Sequence, residues 1–491
     1  MSLFLVLFTA ALIYYIFKFN ENVRRYPKGP FPLPGIGNLH KFNPSSIHLF
    51  FEKCYQEYGS IFTVFTPRPV VIIMDYEHIK EAFVTKGDDF IGRSNCYPDT
   101  LFQNIENGGV IFSQGDNWRE QRRVSLHILR DFGLGKNIME NQVMSSVEDF
   151  MEHLDTLDIK RIEFRWPIQI LVANVINNLL FGFRYRFDDC SRLMKIGDLL
   201  NYQIETLRKN PLVLLANYFP VVEKVPLVGW YAVGQYKHIT GQIRQHIVED
   251  IERCRETFSV DNEPECFVHA YLQKIKMNDY LDEDNLVNVC MDFFLAGMET
   301  TSTTLRWAMI HMANEQEVQE KIREEIHAVI GKEHLPSMAD RPRLPYTVAA
   351  VSEMQRVANI LPTNVPHRTV ADTEVAGHAI PDNTIVIGQL YHVLRHSPMF
   401  SDSPESFRPE RFLEKDGKTA KKAALEQLIP FSLGRRQCAG EGLARMELFL
   451  GLAAILQRYR VRPPLDDKLN LEPIVGMAFL PPKNLLNLEK V

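Results

Sequence analysis

The chain has 491 residues, 45% of them hydrophobic and 24% charged, with a net charge of −6. These are the proportions of a globular protein with a large core, and the lack of a basic stripe with interleaved aromatics argues against nucleic acid as a partner. Seven cysteines, odd in number and without CxxC pairs, make neither a disulfide framework nor a zinc site and suit a reducing compartment.

Length alone would suggest about three domains. No linker, low-complexity run or repeat divides the sequence after residue 40, so a single body is expected over 39–491. Ahead of it, Leu3 to Phe17 is apolar and uncharged. As a helix this run covers roughly 23 Å, a little short of an endoplasmic-reticulum bilayer of about 27 Å unless Met1 and Phe19 join it. No lysine or arginine precedes the run and no small-x-small site follows it, which favours an uncleaved signal anchor over 1–20. Lys18, Arg24, Arg25 and Lys28 all follow, and that asymmetry keeps the remaining chain in the cytosol. Pro27, Pro30, Pro32 and Pro34 then make 21–38 a stiff extended hinge.

Ile61–Phe65 and Val70–Met74 flank a proline turn and read as a β-hairpin. Arg93 and, on a helix, Trp118 and Arg122 come next; spaced i, i+4, the last two share a face from which an indole N–H and a guanidinium can donate to one carboxylate. From about 140 to 280 helical patterns alternate with short breaks, as over 166–181 and 233–258. The apolar stretches 210–215 and 226–231 fit either core or a surface that dips into lipid.

One long helix is expected from Asp282 to Asn314. Within it the small Ala296-Gly297 pair leaves room for something flat against the backbone. Thr300 can bond back to the Ala296 carbonyl and loosen the helix locally, and Glu299 beside it supplies an acid. A helix after Pro345 carries Glu353 and Arg356, a spacing that commonly makes a solvated ion pair. His367, a strand near 383–387 and a solvated loop over 415–422 follow. The elements together predict a mostly helical α+β fold.

The last motif is Phe431-Ser432-Leu433-Gly434-Arg435-Arg436-Gln437-Cys438-Ala439-Gly440-Glu441. Gly434 permits a tight bend, and Gly440 would let main-chain amides approach the Cys438 sulfur. Helical periodicity from Leu443 to Leu456 places Cys438 at a helix N-terminus, where a thiolate is favoured.

The phenylalanine, glycine, arginine, cysteine and glycine of this stretch resemble the haem-binding signature of the cytochrome P-450 family, the microsomal animal enzymes of family two above all. The resemblance implies that fold, haem b with Cys438 as its iron ligand, and Phe431 and Gly434 shaping the ligand loop. It further implies Arg436, Trp118, Arg122, His367 and Arg93 on the propionates, with Ala296 against the cofactor. Glu299 and Thr300 would be the acid–alcohol pair that delivers protons during oxygen activation, and Glu353, Arg356 and Arg411 a buried structural triad. The implied activity is insertion of one atom of O2 into a fatty acid, steroid or xenobiotic. Electrons would come from NADPH through a diflavin reductase, with cytochrome b5 a possible further donor. Gly35-Ile36-Gly37 is no nucleotide fingerprint, since no strand precedes it and no third glycine follows in register. Arg119, Arg123, Arg130 and Arg435 are candidates for docking an acidic reductase face. A reductase-independent isomerase and a non-catalytic haem carrier are the alternatives, both disfavoured by the intact Glu299-Thr300 pair.

Overall fold

In a computed structural model, which describes residues 2–41, 43–132, 137–465 and 468–491, the expected hairpin forms. Ile61–Phe65 and Pro69–Ile73 pair antiparallel, from Ile61 opposite Ile73 to Phe65 opposite Pro69. The Thr66 amide closes the turn on the Arg68 carbonyl at 2.8 Å. Pro69 takes the first position of its strand, where a missing N–H does least harm to the ladder. Three more strands extend this sheet in the order 61–65, 69–73, 385–388, 367–368, 92–93. The last pairing sets His367 directly opposite Arg93.

By internal contacts the chain divides into two compact units. The first comprises Met1–Ser94, Leu361–Ser397 and Phe431–Cys438; the second comprises Asn95–Ile360, Pro398–Pro430 and Ala439–Val491. The first unit holds the five-stranded sheet and the N-terminal helix Ser2–Val23. At 22 residues that helix is about 33 Å long, because it runs six residues past the apolar stretch. Its side chains are exposed, Phe4 at 75% and Ile13 at 63%, and Phe4–Val23 meets the length and composition of a membrane span.

The second unit is built around the 32-residue helix Glu283–Asn314. Asp282 caps it by accepting the Asn285 amide at 2.6 Å, as a carboxylate at an N-cap should. The helices Arg165–Phe181 and Glu441–Arg458 pack against it. The first of these is buried on nearly every side, which its lack of a polar face requires. Glu353 and Arg356 lie on the helix Pro345–Ala358 and are fully buried. Arg356 forks onto the Glu353 carboxylate at 2.7 and 2.9 Å, and Arg411 Nε reaches it at 3.2 Å. The Arg408 amide adds a fourth donor at 2.8 Å. Every oxygen of the buried acid is thus satisfied, and the triad that the resemblance implied is present. The fold is mostly helical with small sheets, as expected.

Candidate functional site

In the first unit, Gly434 has φ +79°, and a Cβ built there would lie 1.7 Å from the Phe83 carbonyl oxygen, so no other residue fits. After one 3-10 turn over Gly434–Arg436, the Cys438 amide donates to the Phe431 carbonyl at 3.1 Å and closes the loop. The loop presents its cysteine outward: Cys438 is exposed, whereas Cys54, Cys190, Cys254, Cys266 and Cys290 are buried and Cys96 is half-buried. A cysteine kept for packing alone would be inside. One expectation is corrected here: the helix begins at Glu441 with Gly440 as its N-cap, so Cys438 stands ahead of it.

Three basic side chains of this unit are buried beside one another. Arg93 Nη1 donates to the carbonyls of Val365 and Pro366 at 3.1 and 3.3 Å, and Arg436 Nε donates to Ile91 at 3.0 Å. His367 Nδ1 bonds the Phe90 carbonyl at 2.8 Å, and its ring stacks on Phe83 at 4.1 Å. Burial, then the charge of Arg93, holds the His367 pKa well below the usual range, with Arg436 adding to it. The imidazole is therefore neutral, with a carbonyl fixing its proton on Nδ1. Two buried guanidiniums are donor chemistry suited to paired carboxylates, and the outward sulfur suits a thiolate-bound iron. The residues present fit a porphyrin with propionates.

In the second unit, Trp118 is buried and Arg122 half-buried on the helix Gly115–Asp131. Gln121 anchors that helix, donating to the Tyr280 carbonyl at 2.6 Å and accepting from the Tyr271 hydroxyl at 2.7 Å. Arg119 pairs with Asp116 and Arg123 with Glu120, each at 2.7 Å. In the first unit, Arg435 pairs with Asp88 at 2.8 Å. Three of the four proposed docking cations are thereby partly neutralised by local acids.

On the 283–314 helix the Thr300 hydroxyl donates to the Ala296 carbonyl at 2.7 Å, as expected, yet the helix stays continuous. Ala296 is exposed. Gly297 is not part of that open face: a Cβ there would meet Ile176 Cδ1 at 2.6 Å, so its smallness serves contact with the 165–181 helix. Glu299 also turns elsewhere than expected. Successive residues point about 100° apart on a helix, and the buried Glu299 carboxyl bonds Gln169 Nε2 at 2.8 Å and the Thr303 hydroxyl at 3.2 Å, not Thr300. Burial lifts its pKa to about 7 against the pull of Arg306.

Sequence reading missed Gln169, Thr303 and Arg306. The latter two lie four and seven residues after Glu299, a helical spacing that would have found them; Gln169 comes from another helix and leaves no local signal. It also missed Asp292, whose carboxylate accepts the amides of Val110 and Ile111 at 2.7 and 3.0 Å. Asn288, one turn earlier, accepts the amides of Asn104 and Ile105. The 104–111 loop is thus hung on one stripe of the long helix.

Residues 27–488 match the family model for cytochrome P450. Among curated proteins the chain is 35% identical over 461 residues to cytochrome P450 2H2 of Gallus gallus, covering 92% of this chain and 91% of that one. It is 35% identical over 470 residues to cytochromes P450 2C26 of Mesocricetus auratus and 2C3 of Oryctolagus cuniculus, with 93% of each chain covered. The chain belongs to the cytochrome P450 family. It is accordingly a monooxygenase that carries thiolate-ligated protoporphyrin IX and uses O2, a lipophilic substrate and a redox partner.

Proposed function

We propose that residues 1–20 anchor the protein in the endoplasmic-reticulum membrane, that 21–38 are the hinge, and that 39–491 form the catalytic body on the cytosolic side. The substrate is a fatty acid, steroid or foreign lipophile. Electrons come from NADPH through a diflavin reductase, with cytochrome b5 as a further donor. The exposed apolar chain Phe219, Val221, Leu227, Trp230 and Tyr231, each at least half exposed, supports the reading of this stretch as a lipid-contacting surface.

Cys438 is the thiolate donor. Arg436 and Arg93, with Trp118 and Arg122, hold the propionates, and His367 joins them through Nε2 once the carboxylates draw a second proton onto its ring; Phe431 and Gly434 shape the ligand loop, and Ala296 offers a flat wall. The bound haem supplies the oxidising chemistry and the protein the rest. Thr300 holds a hydroxyl on the accessible face of its helix, and Glu299 stores a proton at a carboxyl that titrates near neutrality, as a proton donor at working pH should. Because that carboxyl is bonded to Gln169 and Thr303, it reaches Thr300 only by rotation or through water. The observation that carries the reading is the loop: a glycine pressed on a carbonyl, a closing bond from Cys438 to Phe431, and the one exposed cysteine among the seven.

Reconstitution in membranes with the reductase, NADPH and a panel of lipophiles tests it. Thr300→Ala is expected to keep its haem and to lower product per O2 consumed by roughly ten- to a hundredfold. Undiminished product would remove Thr300 from the mechanism, and turnover without NADPH would replace the monooxygenase by an isomerase.

A further inference from the structure

Cys254, Cys266 and Cys290 are buried in the second unit, and no step of the oxygen chemistry uses them. Cys254 lies in the last turn of the helix Gln235–Arg255, and Cys266 is the N-cap of the helix Phe267–Ile275. The loop between them carries mostly exposed side chains. At its two ends the cysteines turn inward, to 4% and 1% exposure, and both arrive at the end of the 165–181 helix. The Cys254 thiol donates to the Phe181 carbonyl at 3.2 Å. A Cβ built on the next residue, Gly182, would lie 3.6 Å from Cys266 Cβ. The Cys254 carbonyl is bonded to His269 Nε2 at 2.9 Å, and His269 follows Cys266 by one helical turn, so the two helix ends are held against each other.

Turned about its Cβ–Sγ bond, the Cys254 S–H points at the Cys266 sulfur instead of at Phe181. That contact pulls the Cys266 thiol down to about 7 against the effect of burial, and the same contact, with burial, raises Cys254. An acidic thiol beside a protonated one is the pairing of an attacking and a resolving cysteine. Cys290, on the 283–314 helix, is fully enclosed, and burial pushes its thiol well up. It stands behind the pair without an exposed loop beside it.

We propose that Cys254 and Cys266 are a peroxide-sensitive dithiol, whose oxidation to a disulfide ties the 235–255 helix to the 267–275 helix and closes the exposed loop between them into a ring. The oxidant is hydrogen peroxide, which forms whenever O2 takes up two electrons and the substrate is left unoxygenated. Opening of the exposed loop, a segment with few buried contacts, gives peroxide its access. The Cys266 thiolate attacks one peroxide oxygen: the S–O bond forms, the O–O bond breaks, and the departing hydroxide takes up the proton that the thiol shed. The Cys254 sulfur then attacks the Cys266 sulfur. The S–S bond forms, the S–O bond breaks, and the hydroxide released takes the Cys254 proton. Two thiols and one peroxide give one disulfide and two waters, the sulfurs losing the two electrons that the peroxide oxygens gain.

The experiment uses the haem-loaded, full-length protein, with haem content checked by the carbon-monoxide difference band. The protein is treated with hydrogen peroxide, the remaining thiols are alkylated, and the peptides are mapped by mass. The expected main product is a cross-linked Cys254–Cys266 peptide, lighter than its two parts by two hydrogens and released by dithiothreitol. Cys254→Ser, which removes the resolving thiol, should hold Cys266 as a sulfenic acid that dimedone traps. Cys266→Ser, which keeps a capping hydroxyl, should slow the oxidation of Cys254 by roughly tenfold or more. The proposal is overturned if the wild-type protein yields Cys266 joined to Cys290, oxidised Cys266 without a cross-link, or both thiols intact at a peroxide dose that oxidises the half-buried Cys96. Those outcomes are read in the wild-type chain, so they decide the matter whether or not either variant keeps its fold.

Discussion

Two regions carry the residues expected to react, and they hold them by opposite means. In the Phe431–Cys438 loop the backbone dictates residue type: Gly434 sits at φ +79° against the Phe83 carbonyl, and the Cys438 amide must reach Phe431. Along the 283–314 helix every residue has ordinary helical backbone, and the element opposite decides what each side chain does. Ile176 faces Gly297, Gln169 takes Glu299, and the amides of Val110 and Ile111 take Asp292. A loop of the first kind can be read as a string of letters. A helix of the second kind can be read only once its partners are known.

The sharpest way to break this contrast is at the loop. Gly434→Ala drives a methyl into a carbonyl that cannot give way, and should cost upward of about 4 kcal/mol locally, seen as loss of haem from the purified protein. Gly440→Ala, at a helix cap of ordinary φ, should cost no more than about 1 kcal/mol and keep the cofactor. Equal effects of the two would show that the loop's backbone is not what matters.

Next in size is the buried triad, where Glu353→Gln leaves Arg356 and Arg411 without their countercharge. It should lower stability by about 3–5 kcal/mol in denaturant unfolding. A change below 1 kcal/mol would mean that solvent reaches the pair.

Asp292 gives a smaller, pH-dependent effect. Burial raises its folded-state pKa from 3.8 to about 7, so the stability linked to its proton is whole below the unfolded pKa and is lost as pH rises through the folded one. Between pH 5 and 7 the native protein should lose about 1–3 kcal/mol relative to Asp292→Asn, which carries no such charge. Parallel stability curves for the two would contradict it.

The smallest effect expected is at Gly297. Gly297→Ala meets only the flexible end of Ile176 and should cost about 1 kcal/mol, recovered in combination with Ile176→Val. If the single variant instead displaces haem and the second change does not help, Gly297 faces the cofactor after all.

Much of the molecule was legible in its sequence, for reasons that differ by region. The 61–73 hairpin showed itself through β-branched runs around a proline turn, and the long helix through its span, with Asp282 turning out to be its cap and not its first residue. The N-terminal helix showed through its uncharged run, but it runs on to Val23 because Phe19 to Val23 continue the helix past the first charge. The Cys438 loop was legible because its glycine and cysteine have no alternatives, whereas the start of the following helix was misplaced by three residues because periodicity cannot see a cap. Glu299 was placed beside Thr300 because they are neighbours in sequence, and the 100° step of the helix separates them. Gln169, 130 residues away from Glu299, and the 104–111 loop hung on Asn288 and Asp292 are tertiary facts with no local trace.

Every assigned role depends on iron being held by the sulfur of residue 438, which the spectrum of the reduced, carbon-monoxide-treated protein reads out. A thiolate-type Soret band is expected in the native chain and should disappear in Cys438→Ala. A native protein without that band, or a Cys438→Ala variant that keeps it, would contradict the assignment of the ligand and every role built on it.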